Sequence, residues 1–139
     1  MINGVILQKL QTLDEVLAEL RSLGQVTAAS LDDDWLTRRA VERDLQVLVE
    51  VVIDVCQRLL SVAGQTPATT GGDAVRRCIQ LGILTDDEAY HKMVQFRNFI
   101  VHRYEHIRTA VLAEMVNERL ADFERFRDEV LAHVRETGA

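Results

Sequence analysis

One proline and seven glycines in 139 residues are too few for a turn-rich β protein, whose reversals depend on those residue types. Aromatic residues make up only 5% of the chain against 47% hydrophobic overall, so the core has to be aliphatic, the usual composition of packed helices. Cysteine is equally scarce. Cys56 and Cys78 have no metal-ligand spacing and fall at apolar positions of expected helices, the pattern of buried free thiols in a reducing cytoplasm. No run of about 18 uncharged apolar residues occurs, so no membrane span is expected. Met1-Ile2-Asn3-Gly4 has neither the basic start nor the apolar stretch of a signal peptide. Basic residues are outnumbered 16 to 22, for a formal charge of −6. This argues against broad nonspecific nucleic-acid binding and leaves room for a local phosphate site.

What the chain does have is aliphatic periodicity. Val5, Ile6, Leu10, Leu13, Val16, Leu17 and Leu20 repeat at helical spacing and predict a first helix over 3–22, capped by Asn3 and ended by Gly24. Residues 23–30 read as a connector. Ser30 to Asp34 supply acids and caps for a second helix over about 32–63. Its second half, 45–62, is apolar on most sides, which predicts burial on more than one face, with another subunit as one candidate cover. Residues 64–72 hold the proline and three glycines and read as a loop; a phosphate-binding reading of Gly71-Gly72 lacks a P-loop pattern. Residues 73–80 predict a short helix closed by Gly82. Thr85 with Glu88 is spaced as a capping box opening a fourth helix, whose apolar side is Tyr90, Met93, Val94, Ile100 and Val101. A last helix over about 108–135 buries Val111, Leu112, Val116, Leu120, Phe123, Phe126, Val130 and Val134. The expected fold is a single all-α domain over 1–139, an up-and-down helical bundle of four to five helices.

The fourth helix carries an island of basic and proton-transferring groups in this acidic chain. From His91 to Arg108 stand Lys92, Arg97, Arg103 and Arg108 against the single acid Glu105, with His91, His102 and His106 among them. On a regular helix Arg97 and Tyr104 share a face, and Asn98 and His102 share a neighbouring one. Arg97 and His102 point about 140° apart, so a common site needs long side chains, a break near His102 or a second copy of the chain. Glu50 and Asp54, four apart in the apolar helix, need partners or a wet cleft. The basic island is the expected partner, and a solvated stripe or structural ion pair is the alternative.

These residue types suit RNA cleavage by attack of the 2′-hydroxyl on its own phosphate. That reaction needs a base, an acid and positive charge, and no metal. Histidine transfers protons near neutrality and arginine forks onto phosphate oxygens. One histidine cannot be base and acid at once, so a two-fold dimer would complete the set. A metal reading rests on His102 and His106, four apart, with His91 as third ligand, and lacks the HExxH pattern.

The order Arg97-Asn98-x-x-x-His102-x-Tyr104 resembles the R-x4-6-H motif of HEPN domains, and in its R-N-x-x-x-H-x-Y form the HepT toxin branch of HepT/MntA toxin–antitoxin pairs. Leu45-Gln46 through Glu50, Ile53-Asp54, Lys92-Met93-Val94, and Asp122-Phe123-Glu124 with Phe126 extend the resemblance over nearly the whole chain. It implies a homodimeric bundle with an interface cleft and a metal-independent endoribonuclease, without a cofactor, using Arg97 and His102. It implies a type VII-like pairing with an MntA-like nucleotidyltransferase antitoxin that transfers AMP onto Tyr104. Asn98 matches the motif as an orienting residue. Glu50 and Asp54 are supporting candidates, and Arg103, at a variable position, is assigned to RNA phosphate contact. The contrasting expectation is a noncatalytic helical module that binds a nucleotidyltransferase.

Overall fold

In the computed structural model, described over residues 3–102 and 107–138 with the backbone alone at 101 and 102, a central helix is wrapped by the rest of the chain. α1 (Gly4–Arg21) is capped by the Asn3 side chain, which accepts from the amides of Val5 and Ile6. Gly24, at φ +65°, turns the chain away after it, a conformation glycine adopts without strain. α2 (Ala28–Asp33) starts on a reciprocal cap between Thr27 and Ser30. α3 (Trp35–Val62) follows after one extended residue, Asp34, whose carboxylate caps it through the Thr37 amide and hydroxyl. The expected second helix is therefore two helices, and part of the expected connector is α2.

α3 buries Val41, Leu45, Leu48, Val49, Val51, Val52, Ile53, Val55, Cys56, Leu59 and Leu60. Its apolar sides are covered by α1, α2, α4 (Gly71–Gln80) and α5 (Glu88–His102) of its own chain. α1 runs antiparallel to it, since Lys9 meets Asp54 at one end and Glu19 lies beside Asp44 towards the other.

α4 begins two residues earlier than expected, inside the supposed loop, because Thr70 accepts from the Asp73 amide. Gly71 and Gly72 form its first turn. A Cβ on Gly71 would lie 2.7 Å from Ile53 Cδ1, and one on Gly72 3.2 Å from Val94 Cγ1. The two glycines thus let α4 press against both α3 and α5. Cys56 and Cys78 meet in this α3–α4 contact as buried free thiols.

α6 (Thr109–Glu114) continues through a π-helical turn (Met115–Arg119) into α7 (Leu120–Thr137). The extra residue of a π turn rotates what precedes it. Asn117 is thereby placed to clamp the α1–α2 connector, accepting from the Val26 amide at 3.0 Å and donating to its carbonyl at 2.7 Å. Val111, expected on the buried face, is 40% exposed. Among the described residues no strand occurs and no helix is long and apolar enough to cross a membrane.

Candidate active site

α5 is fixed before it reaches the motif. Tyr90 is fully buried and donates its hydroxyl to Glu129 of α7 at 2.9 Å. Glu129 also accepts from the Thr85 amide and hydroxyl, both at 2.7 Å. Thr85 is therefore spent on α7 instead of a capping box with Glu88; Asp87 takes over, accepting from the Ala89 amide at 2.8 Å. Arg125 stacks its guanidinium 5.4 Å from the centre of the Tyr90 ring and pairs with Asp87 at 3.1 Å. Burial, then the bond to Glu129, holds the Tyr90 phenol well above the ordinary tyrosine range. The Ala89 amide, then Arg125, holds Asp87 low. Met93 and Phe96 complete the buried side of α5.

Two turns on, Arg97 is half-buried, and its Nε is buried without a hydrogen-bond partner. Among the described residues no carboxylate lies within ion-pair distance of it. Only that Nε is fully buried; the side chain as a whole is half-buried and carries its charge without an ion-pair partner among the described residues. It opens, with Asn98, onto a recess of about 510 Å³ lined also by Ile53, Asp54, Gln57 and the α4 entry Thr69–Gly72. The close approach of Gly72 to Val94 brings that entry to α5.

The recess unites three of the expected site residues, Arg97, Asn98 and Asp54. It does not include Glu50, which accepts from Gln46 of its own helix at 3.0 Å. The expected pairing of the two acids with the basic island is also not what forms: Asp54 is more than half exposed and pairs with Lys9 of α1 at 3.2 Å. The backbone of His102 closes α5; its side chain, and the whole of Arg103, Tyr104 and His106, lie outside the described residues. His91, the third candidate metal ligand, is exposed beside Asp86 at 3.5 Å, and among the described residues no three histidine, cysteine or acidic side chains converge. Sequence reasoning missed Gln57, Thr69 and the Tyr90–Glu129 anchor. An acid at position 129, between Phe126 and Val130 on the buried stripe of α7, was the available signal for the anchor.

A second groove, of about 400 Å³, runs between α5 and the α6–α7 helix. Met93, Phe96, Phe99, Ile107, Met115 and Phe123 are among its walls, and its rim carries both Lys92 and Glu114.

The described residues form a helical bundle without strands, with a half-buried, unpaired arginine near the end of an internal helix. Residues 13–130 match the family model described as ribonuclease HepT-like. The mRNA nuclease HepT of Shewanella oneidensis is 23% identical over 133 residues, covering 94% of this chain and 99% of that one. Among solved structures, the tri-AMPylated Shewanella oneidensis HEPN toxin in complex with MNT antitoxin matches with a TM-score of 0.83 at 22% identity, over 94% of this chain and 99% of that one. A toxin–antitoxin structure with AMP-PNP matches at 0.82 and 22%, over the same shares. The chain belongs to the ribonuclease HepT-like family.

Proposed function

We propose that this protein is the toxin of a toxin–antitoxin pair, a metal-independent endoribonuclease acting in the cytoplasm. The observation that carries the reading is the half-buried, unpaired Arg97 opening with Asn98 onto a recess, five residues before His102. In this chemistry the Arg97 guanidinium binds two oxygens of the scissile phosphate and offsets charge that grows as the phosphorane forms. The ribose 2′-oxygen bonds to phosphorus as its proton passes to a base. The bond to the 5′-oxygen breaks as that oxygen receives a proton from an acid. His102 fills one of these roles, oriented by Asn98, and the partner subunit's His102 fills the other. Arg103 adds a phosphate contact.

The homodimer follows from the chemistry: one His102 cannot be base and acid at once, so a two-fold partner has to bring its own His102 to the Arg97 recess. The similar solved toxin–antitoxin complexes favour a nucleotidyltransferase antitoxin of the MntA kind as partner. AMP transferred to Tyr104, two residues beyond His102, places a negative phosphate and bulk where RNA phosphate would sit. Asp54 shapes the recess; Glu50 is only a helix-surface neighbour of it.

Purified protein incubated with RNA in the presence of a chelator tests this. Wild type cleaves, and Arg97→Ala and His102→Ala lose about a hundredfold or more. Wild-type protein that forms a complex with the nucleotidyltransferase yet cleaves no RNA at any concentration identifies a noncatalytic binding module instead.

A further inference from the structure

The Arg97 recess does not end at Asp54. A second depression of about 340 Å³ lies between α1 and α3, lined by Val5, Ile6, Lys9, Asp54, Val55, Gln57, Arg58 and Ser61. The two share Asp54 and Gln57 as walls. The two depressions therefore adjoin along α3, and the pair is called the channel. Asp54, Gln57, Arg58 and Ser61 recur at steps of three and four, so the channel follows that helix for about 10 Å.

Its chemistry is uneven in a telling way. At one end stand Arg97 and Asn98; at the other stand Arg58 and Lys9. Arg58 is exposed and, among the described residues, has no ion-pair partner in a chain with 22 acids. Neutral hydrogen-bonding groups, Gln57, Thr69 and Ser61, lie between and around them. The one acid on the route, Asp54, is already engaged by Lys9. With Lys9 paired to Asp54, the unpaired cations are Arg58 at one end and Arg97 at the other, and two separated cations joined by neutral polar groups match an extended chain with charges at intervals.

We propose that this channel seats the RNA strand flanking the cleaved bond, with Arg58 and Lys9 neutralising a phosphate next to the one held by Arg97. The proposal rests on the ribonuclease reading, and adds residues outside the motif that bind substrate without touching the reacting atoms. Such contacts lower Kd and add to its salt dependence.

The test is anisotropy of a labelled 2′-O-methyl oligoribonucleotide, which binds but has no free 2′-hydroxyl to react. Lys9→Gln with Arg58→Gln raises Kd about tenfold and lowers the slope of log Kd against log salt by about one to two. Arg39→Gln with Arg43→Gln removes the same charge from the far end of α3 and leaves Kd within about twofold. Asp54→Asn, which removes the acid and frees Lys9, tightens binding. A Kd unchanged in the Lys9/Arg58 variant, an equal loss in both double variants, or no binding by wild type overturns the proposal. Binding that depends on Lys9 and Arg58 in a protein that never cleaves unmodified RNA sustains the channel and removes the ribonuclease reading.

Discussion

The Tyr90 hydroxyl donates to Glu129 across 2.9 Å, tying the start of the motif helix to α7. The same carboxylate holds the Thr85 amide and hydroxyl, so one acid satisfies three donors. Tyr90→Phe removes one of them and costs about 1 kcal/mol; Glu129→Ala leaves the part-buried Tyr90 hydroxyl without its acceptor while the exposed Thr85 donors turn to water, and costs about 1–2 kcal/mol, both measurable by urea unfolding. The raised Tyr90 phenol also sets a sign at alkaline pH. The unfolded chain's phenol ionises near about pH 10 while the folded one stays protonated, so stability falls as pH rises beyond that point. Tyr90→Phe abolishes this component of the fall.

Gly71→Ala places a methyl 2.7 Å from Ile53 Cδ1 and 3.2 Å from both Ile53 Cγ atoms. A helical glycine replaced by alanine ordinarily gains up to about 1 kcal/mol, but overpacking costs about 1–3 kcal/mol and prevails here. The variant unfolds at lower denaturant. Because α4 backs away from α3, its RNA affinity also drops. Gly72→Ala, with a single 3.2 Å approach to a Val94 methyl, stays close to wild type in both measurements.

Asp44 of α3 has its pKa raised to about 6, first by burial and then by hydrogen bonding to Glu19 and its charge, with Arg43 opposing. The unfolded carboxyl titrates near about 3.9, so the folded state holds the proton more tightly and stability declines as pH rises from about 4 to 6. Asp44→Asn therefore stabilises the protein above pH 6, by about 1 kcal/mol once solvent screening is allowed for. The gain vanishes below about pH 4. Thermal melts of both proteins at several pH values check the sign.

Tyr104→Phe removes the hydroxyl that would accept AMP. Co-expressed with its nucleotidyltransferase, this variant stays toxic and keeps its unmodified mass, while wild type gains AMP and is silenced. Intact-mass measurement of both proteins with growth curves decides it. A wild type silenced without any mass change assigns control to the complex alone.

Much of the bundle was legible because aliphatic spacing reports burial directly: of the α1 stripe, Ile6 to Leu20 is buried as read, while Val5, at the first turn, is exposed. The break at Asp34 was not, since one extended residue leaves the surrounding hydrophobic pattern almost unchanged. The π turn was hidden for a related reason. Its extra residue rotates α6 relative to α7 by about 100°, so a face extrapolated back from Phe123 misplaces Val111. Thr85 misled because a carboxylate 44 residues away outcompeted a local cap. At the site, the sequence named Arg97, Asn98 and Asp54, and the recess unites them. Residue types alone did not reveal that Asp54 faces Lys9 or that Glu50 turns to Gln46, because the sign of a charge does not say which helix packs beside it.

The central claim is that Arg97 and His102 cut RNA. Wild type, Arg97→Ala and His102→Ala are expressed in a bacterial host without the nucleotidyltransferase, and total RNA is examined alongside growth. Arg97 has no ion-pair partner among the described residues, so its loss leaves no carboxylate stranded, and circular dichroism of each purified variant checks that it is folded. The account predicts growth arrest with new RNA fragments for wild type and neither for the variants. Variants that arrest growth and fragment RNA as wild type does would contradict it.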